Sequence, residues 1–137
     1  MSRHPVFTWP IRVYWEDTDA GGIVFYANYL KFFERARTEW LRTLGVAQSG
    51  LKKDSGGMFV VSETSLRYLA PSRLDDELLV TAQLEAGGRA SLIIAQKAFR
   101  GDTLLCDGTI RIGWVDAATL RPGRIPPAIL QALDTKA

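Results

Sequence analysis

Only one cysteine, Cys106, and one histidine, His4, occur in the 137 residues. A lone cysteine excludes an intramolecular disulfide and a multi-cysteine zinc site. A lone histidine excludes any reaction that needs two imidazoles on one chain. It also removes the Ser-His and Cys-His dyads unless His4, near the N-terminus, takes part. An excess of one charge is missing too. Seventeen basic against fifteen acidic residues leave a formal net charge of +2, which excludes a dedicated nucleic-acid binder. No apolar run approaches the ~20 residues of a membrane span. Met1 to Pro10 lacks the long apolar core of a signal peptide. With one free thiol and no signal, the cytoplasm is the expected location.

What is there fits one soluble domain over residues 1–137. Hydrophobic residues make up 47% and charged residues 23%, which argues against disorder. A chain of this length buries enough surface to fold without disulfide or metal. There is no repeat, low-complexity stretch or linker.

Ile11, Val13 and Trp15 alternate with Arg12, Tyr14 and Glu16. That period of two predicts a half-buried strand over Ile11 to Glu16. Asp17-Thr18-Asp19-Ala20-Gly21-Gly22 then reads as a turn. Leu30, Phe33, Arg37, Trp40, Leu41 and Leu44 recur at helical spacing. They predict a helix of about 17 residues, or ~25 Å, with Asn28 as N-cap and Gly45 as C′ residue. Val46 to Gly57 reads as a loop. Four strands are expected next, at Phe59 to Leu69, Glu77 to Ala86, Ala90 to Arg100 and Thr103 to Asp116. Leu78, Val80, Ala82 and Leu84 share one face. So do Leu104, Cys106, Ile110, Ile112 and Trp114. Gly87-Gly88 and Gly101-Asp102 read as hairpin turns, so the sheet should be antiparallel. A last turn of helix is expected at Ala128 to Leu133. One helix covers five strands only if the sheet curls around it, so the fold class is α+β. The sheet's other face and edges invite a second subunit.

Asp17 and Asp19 lie beside two glycines, just before a helix start. Free N–H groups at a helix N-terminus polarise a carbonyl. A carboxylate opposite attacks the carbonyl carbon or activates a water. The same residues also suit ordinary turn and capping chemistry. A calcium loop starting at Asp17 would put Gly21 at its fifth position and Asn28 at its twelfth. It lacks the acceptor and the bidentate glutamate those positions need.

The segment Arg12-Val13-Tyr14-Trp15-Glu16-Asp17-Thr18-Asp19-Ala20-Gly21-Gly22-Ile23-Val24-Phe25-Tyr26-Ala27-Asn28-Tyr29 resembles the signature of the 4-hydroxybenzoyl-CoA thioesterase family. Within that family the chain looks closest to the YbgC-type acyl-CoA thioesterases associated with Tol–Pal operons. The similarity continues through Phe33-Glu34-Arg35-Ala36-Arg37-Thr38-Glu39. It returns at Tyr68-Leu69-Ala70-Pro71-Ser72-Arg73-Leu74-Asp75-Asp76 and at Val115-Asp116, and so covers nearly the whole chain.

The resemblance implies a hot-dog fold, in which a curled antiparallel sheet wraps one long helix. It implies a homodimer with one continuous sheet, often paired into a homotetramer, with active sites at subunit interfaces. It implies acyl-CoA thioester hydrolysis without a cofactor or metal. The family's catalytic carboxylate falls on Asp19, as nucleophile or as general base, and Asp17 supports the turn. YbgC-type members typically carry a histidine where this chain has Tyr26. A phenol makes a poor base at neutral pH. The contribution expected of Tyr26 is therefore its backbone N–H, aimed at the thioester oxygen, with its ring shaping the acyl pocket. Tyr29, Leu30 and Phe32 are candidates to border that pocket. Arg89 aligns with a region that binds the nucleotide end of CoA, with Arg67, Arg73 and Lys97 as further options. Acyl carrier protein is an alternative thioester carrier. Cys106 reads as a core thiol, and Glu34, Arg35 and Glu39 as a solvated helix face or subunit contacts. The rival readings are a non-catalytic scaffold that binds acyl groups or acyl carrier protein, and a dehydratase or isomerase, which His4 alone serves poorly.

Overall fold

The computed structural model describes residues 4–46 and 55–136. Strand β1 is Phe7–Arg12 and helix α1 is Asn28–Thr43. Strands β2 (Gly57–Tyr68), β3 (Glu77–Gly87), β4 (Ser91–Arg100) and β5 (Thr103–Asp116) follow. Helix α2, Pro127–Lys136, ends the described chain. The five strands form one sheet in the order β1-β3-β4-β5-β2, every neighbouring pair antiparallel. The β2–β5, β3–β4 and β4–β5 ladders each carry a register shift. Such bulges bend strands and raise their twist.

One side of the sheet carries the core. Leu78, Val80, Ala82 and Leu84 of β3 all turn inward, as their alternation predicts. They join Leu92 and Ile94 of β4, and Ile110, Ile112 and Trp114 of β5, in one buried cluster. Helix α1 lays Phe32, Phe33, Ala36, Trp40 and Leu41 on it. Ile129 and Leu133 of α2 close a further part of the same cluster.

One polar pair crosses the helix–sheet interface. The buried Arg37 donates to Gln96 Oε1 at 2.9 Å. The Gln96 amide in turn donates to the carbonyls of Phe33 (3.0 Å) and Thr81 (3.3 Å). Burial pulls the Arg37 guanidinium below its ordinary pKa, and Glu34 partly opposes that shift.

The structure departs from the sequence expectation at five places. The first strand ends at Arg12, not Glu16, and Trp15–Asp17 form a 3-10 turn. Ile11 and Val13 are buried as expected, but Trp15 is 79% exposed because the turn swings it outward. Asn28 is the first helical residue and Ala27 is the cap. The Asn28 side chain bonds back to Asp17 rather than capping its own helix. Leu30 is exposed and Phe32 takes its inward place. On β5 the bulge opposite Ala98 and Phe99 inserts Leu105, so Leu105 is buried and Leu104 only partly so. Finally, the loop expected over Val46 to Gly57 is shorter at both ends. Val46 is buried and Gly57 belongs to β2, while residues 47–54 lie outside the described residues. Gly45 has φ +81°, the left-handed C′ geometry expected of it.

Phe33 has no exposed surface and sits where α1 meets the sheet. Phe33→Ala should lower unfolding free energy by about 3–5 kcal/mol, read from the urea midpoint.

Candidate active site

The segment between β1 and α1 folds around Asp17, which is 2% exposed. Its Oδ2 accepts the Tyr14 N–H at 2.8 Å. Its carbonyl accepts the Phe25 N–H at 2.9 Å and the Asn28 Nδ2–H at 2.8 Å. One buried residue thus ties both ends of the segment to the first residue of α1. The supporting role expected of Asp17 is what this geometry provides.

Between those ties the chain makes a small hairpin. Thr18 and Val24 form a β-bridge, and the Asp19 N–H donates to the Ile23 carbonyl at 2.8 Å. The Gly22 N–H closes the tip on the Asp19 carbonyl at 3.0 Å. Gly22 has φ +80°, a region that favours glycine. Asp19 is exposed and caps its own turn. Its Oδ1 accepts the Gly21 N–H at 2.8 Å, with Ile23 N more distant at 3.4 Å. Its other oxygen, Oδ2, has no hydrogen-bond donor among the described residues. One oxygen is thus bonded within the turn and the second is not.

Tyr26 lies on the same segment, two residues before α1. The neighbouring Phe25 and Asn28 N–H groups donate within the chain. Those of Tyr26 and Ala27 meet no acceptor among the described residues. They carry the partial positive charge of a helix N-terminus. The structure therefore brings Asp19 and Tyr26 onto one segment.

Arg89 is not with them. It follows the β3–β4 hairpin, and its carbonyl accepts the Ile125 N–H at 2.7 Å. The Asp19 segment is tied to the other end of β3. Val24 N–H donates to the Ser72 carbonyl, and Val13 pairs with Asp75 and Asp76. The 11 residues of β3 separate these ends by ~30 Å at about 3.3 Å per residue. Arg67 is held by Asp107 at 3.0 Å. Arg73 and Lys97 are exposed.

Beside the helix start is a cavity of about 250 Å³ lined by Ile23, Val24, Tyr26, Tyr29, Tyr68, Leu69, Ala70 and Pro71. Tyr29 is 3% exposed, and its hydroxyl lies 2.6 Å from the buried Ser72 Oγ. Burial pushes the Tyr29 phenol above its ordinary pKa, while the Ser72 hydrogen bond opposes that shift. Of the three residues expected at the acyl pocket, Tyr29 lines this cavity, but Leu30 and Phe32 do not. The sequence reading missed Tyr68 and Ser72 as individual residues, although both stand in the Tyr68–Asp76 motif.

The chain matches the thioesterase-like superfamily over residues 13–133. It is 39% identical over 126 residues to the acyl-CoA thioesterase YbgC of Haemophilus influenzae, covering 92% of this chain and 93% of that one. The acyl-CoA thioester hydrolase YbgC of Escherichia coli O6:H1 is also 39% identical, with 91% and 93% covered. A probable thioesterase from Bartonella henselae superposes with a TM-score of 0.84 at 29% identity, covering 89% of this chain and 100% of that one. The sheet wrapped on one long helix is thus the hot-dog fold of thioesterases. The chain belongs to the thioesterase-like superfamily, and within it to the YbgC-type group.

Cys106 lies in the core, opposite Tyr68 in the β2–β5 register. It has no exposed surface, and burial pushes its thiol up to about 12. Native protein at pH 8 should therefore resist iodoacetamide for hours. Protein unfolded in urea should label within minutes, as read by intact mass.

Proposed function

We propose that this chain hydrolyses acyl-CoA thioesters to free acid and CoA, with Asp19 as the catalytic carboxylate. The observation that carries the reading is that the β1–α1 segment holds both a carboxylate oxygen, Asp19 Oδ2, with no donor and two N–H groups, of Tyr26 and Ala27, with no acceptor among the described residues. The names of the related proteins support the substrate class.

The thioester oxygen rests on the Tyr26 and Ala27 N–H groups, which stabilise the negative charge that grows there. Asp19 Oδ2 either attacks the carbonyl carbon or takes a proton from an attacking water. The C–S bond then breaks and the sulfur leaves as the thiol, taking the proton that the attacking water gave up or one from solvent; where Asp19 attacks directly, water then hydrolyses the mixed anhydride to the free acid. The Tyr26 side chain is not a base in this scheme. Its part is the backbone donor and a wall of the acyl cavity.

The active unit in this reading is a homodimer or homotetramer. Strand β2 is a sheet edge 12 residues long and exposed over Val61 to Ser65. A second copy that extends the sheet there would cover it. Arg89 then binds the nucleotide end of CoA only where another copy brings its β3–β4 hairpin to the Asp19 segment. Acyl carrier protein is a second carrier to test. No helix among the described residues is long and apolar enough to cross a membrane, and we place the protein in the cytoplasm.

Thiol release should be measured on short aliphatic, long aliphatic and aromatic acyl-CoAs. Asp19→Asn keeps an acceptor for Gly21, so its melting temperature should match wild type. Its turnover should fall about 100-fold or more. Tyr26→Phe should stay within a few-fold of wild type, because the donor is backbone. Near-normal turnover by Asp19→Asn would remove Asp19 from the mechanism. Capture of acyl carrier protein, without hydrolysis of any thioester, would instead favour the scaffold.

A further inference from the structure

The cavity beside the start of α1 has three aromatic walls that are held to different degrees. Tyr29 is locked by Ser72 and by an edge contact with Phe32, with ring centroids 5.6 Å apart. Tyr26 is 62% exposed and packs at 4.8 Å on Phe25. Tyr68, the last residue of β2, is the ring that touches both. Its centroid lies 5.9 Å from Tyr26, edge to face, and 5.9 Å from Tyr29. It is 47% exposed, and among the described residues its hydroxyl has no hydrogen-bond partner. Nothing but ring packing holds it.

We infer that Tyr68 is the end wall of the acyl pocket and sets the longest acyl chain the site accepts. This inference rests on the thioesterase reading above. Leu69, Ala70 and Pro71 continue the same wall, so the lining beyond the three phenol hydroxyls is apolar. At about 250 Å³ the cavity falls below the roughly 300–1,000 Å³ of most ligand pockets. It has room for about eight groups of water or methylene size, at roughly 30 Å³ each. A longer chain must displace a ring; among the described residues neither the Tyr26 nor the Tyr68 hydroxyl has a hydrogen bond, and of the two only Tyr68 lies outside the segment that carries Asp19. Removing it leaves intact the turn bonds of Asp19, the ties of Asp17 and the Tyr29–Ser72 bond.

The test uses S-alkyl-CoA thioethers of two, four, eight and twelve carbons, which bind without being cleaved. Their affinities are measured by calorimetry beside the hydrolysis rates of the matching acyl-CoAs. Wild type should gain affinity up to about eight carbons and then lose it. Each newly buried methylene is worth about fourfold in binding. Tyr68→Ala should therefore bind the twelve-carbon thioether about tenfold or more tighter than wild type, and its rate optimum should move the same way. Tyr68→Phe keeps the ring and should keep the wild-type profile. Tyr68→Val suits a strand and serves if the alanine variant does not fold. A folded Ala or Val variant with the wild-type length profile overturns the inference. Binding with the predicted shift but no hydrolysis would overturn the thioesterase reading and leave the Tyr68 wall standing. No binding of any thioether by wild type would overturn both.

Discussion

The buried residue Asp17, through its carboxylate and its carbonyl, is the constraint on which the site depends. Polar groups out of water must be paired, or they cost about 1–3 kcal/mol each. Asp17 meets that demand with the backbone on both sides of it. Its side chain holds Tyr14, and its carbonyl holds Phe25 and Asn28. The path from β1 into α1 follows from those three bonds. With the path fixed, the hairpin tip at Asp19 needs only its own turn to hold its shape.

That arrangement divides labour between two aspartates only two positions apart. Asp17 is buried, with one carboxylate oxygen and its carbonyl bonded within the segment, and Asp19 is exposed, with one carboxylate oxygen bonded within its own turn. Asn28 spends its side chain on Asp17, so it does not cap α1, and the N–H groups of Tyr26 and Ala27 meet no acceptor among the described residues. A second set of bonds joins this segment to the chain after β2. Val24 donates to the Ser72 carbonyl, and Tyr29 meets Ser72 Oγ. Arg100 adds a bond to the Pro71 carbonyl at 2.8 Å and one to Asp76 at 3.3 Å. The aromatic cavity lies between these two fixed segments, which gives it a defined size.

Much of this could be read before any coordinates. Leu78, Val80, Ala82 and Leu84 alternate cleanly, and the strand they predict is there. The helix follows from Phe33, Arg37, Trp40 and Leu41 for the same reason: periodicity reports which face is buried. The failures mark places where a local hydrogen bond outweighs periodicity. Trp15 continues the alternation of Ile11 and Val13, yet Asp17 captures Tyr14 and turns the strand into a 3-10 turn. Leu104 and Leu105 exchange faces at a bulge, which a regular alternation does not contain. The separation of Arg89 from Asp19 depends on which end of β3 each belongs to. No spacing along the chain reports that. Tyr68 escaped notice because its partners, Tyr26 and Tyr29, are about forty residues away and meet it only after β2 is placed at the sheet edge.

The central claim is that the segment from Val13 to Asn28 holds its shape through Asp17 and leaves the Asp19 carboxylate free to react. Amide hydrogen exchange across this segment, in Asp17→Ala and Asp19→Asn side by side, tests it most directly. The account predicts that Asp17→Ala sharply speeds exchange at Tyr14, whose N–H loses its acceptor, while Asp19→Asn leaves it as slow as in wild type. Equal loosening by the two variants, or loosening by Asp19→Asn alone, would contradict it.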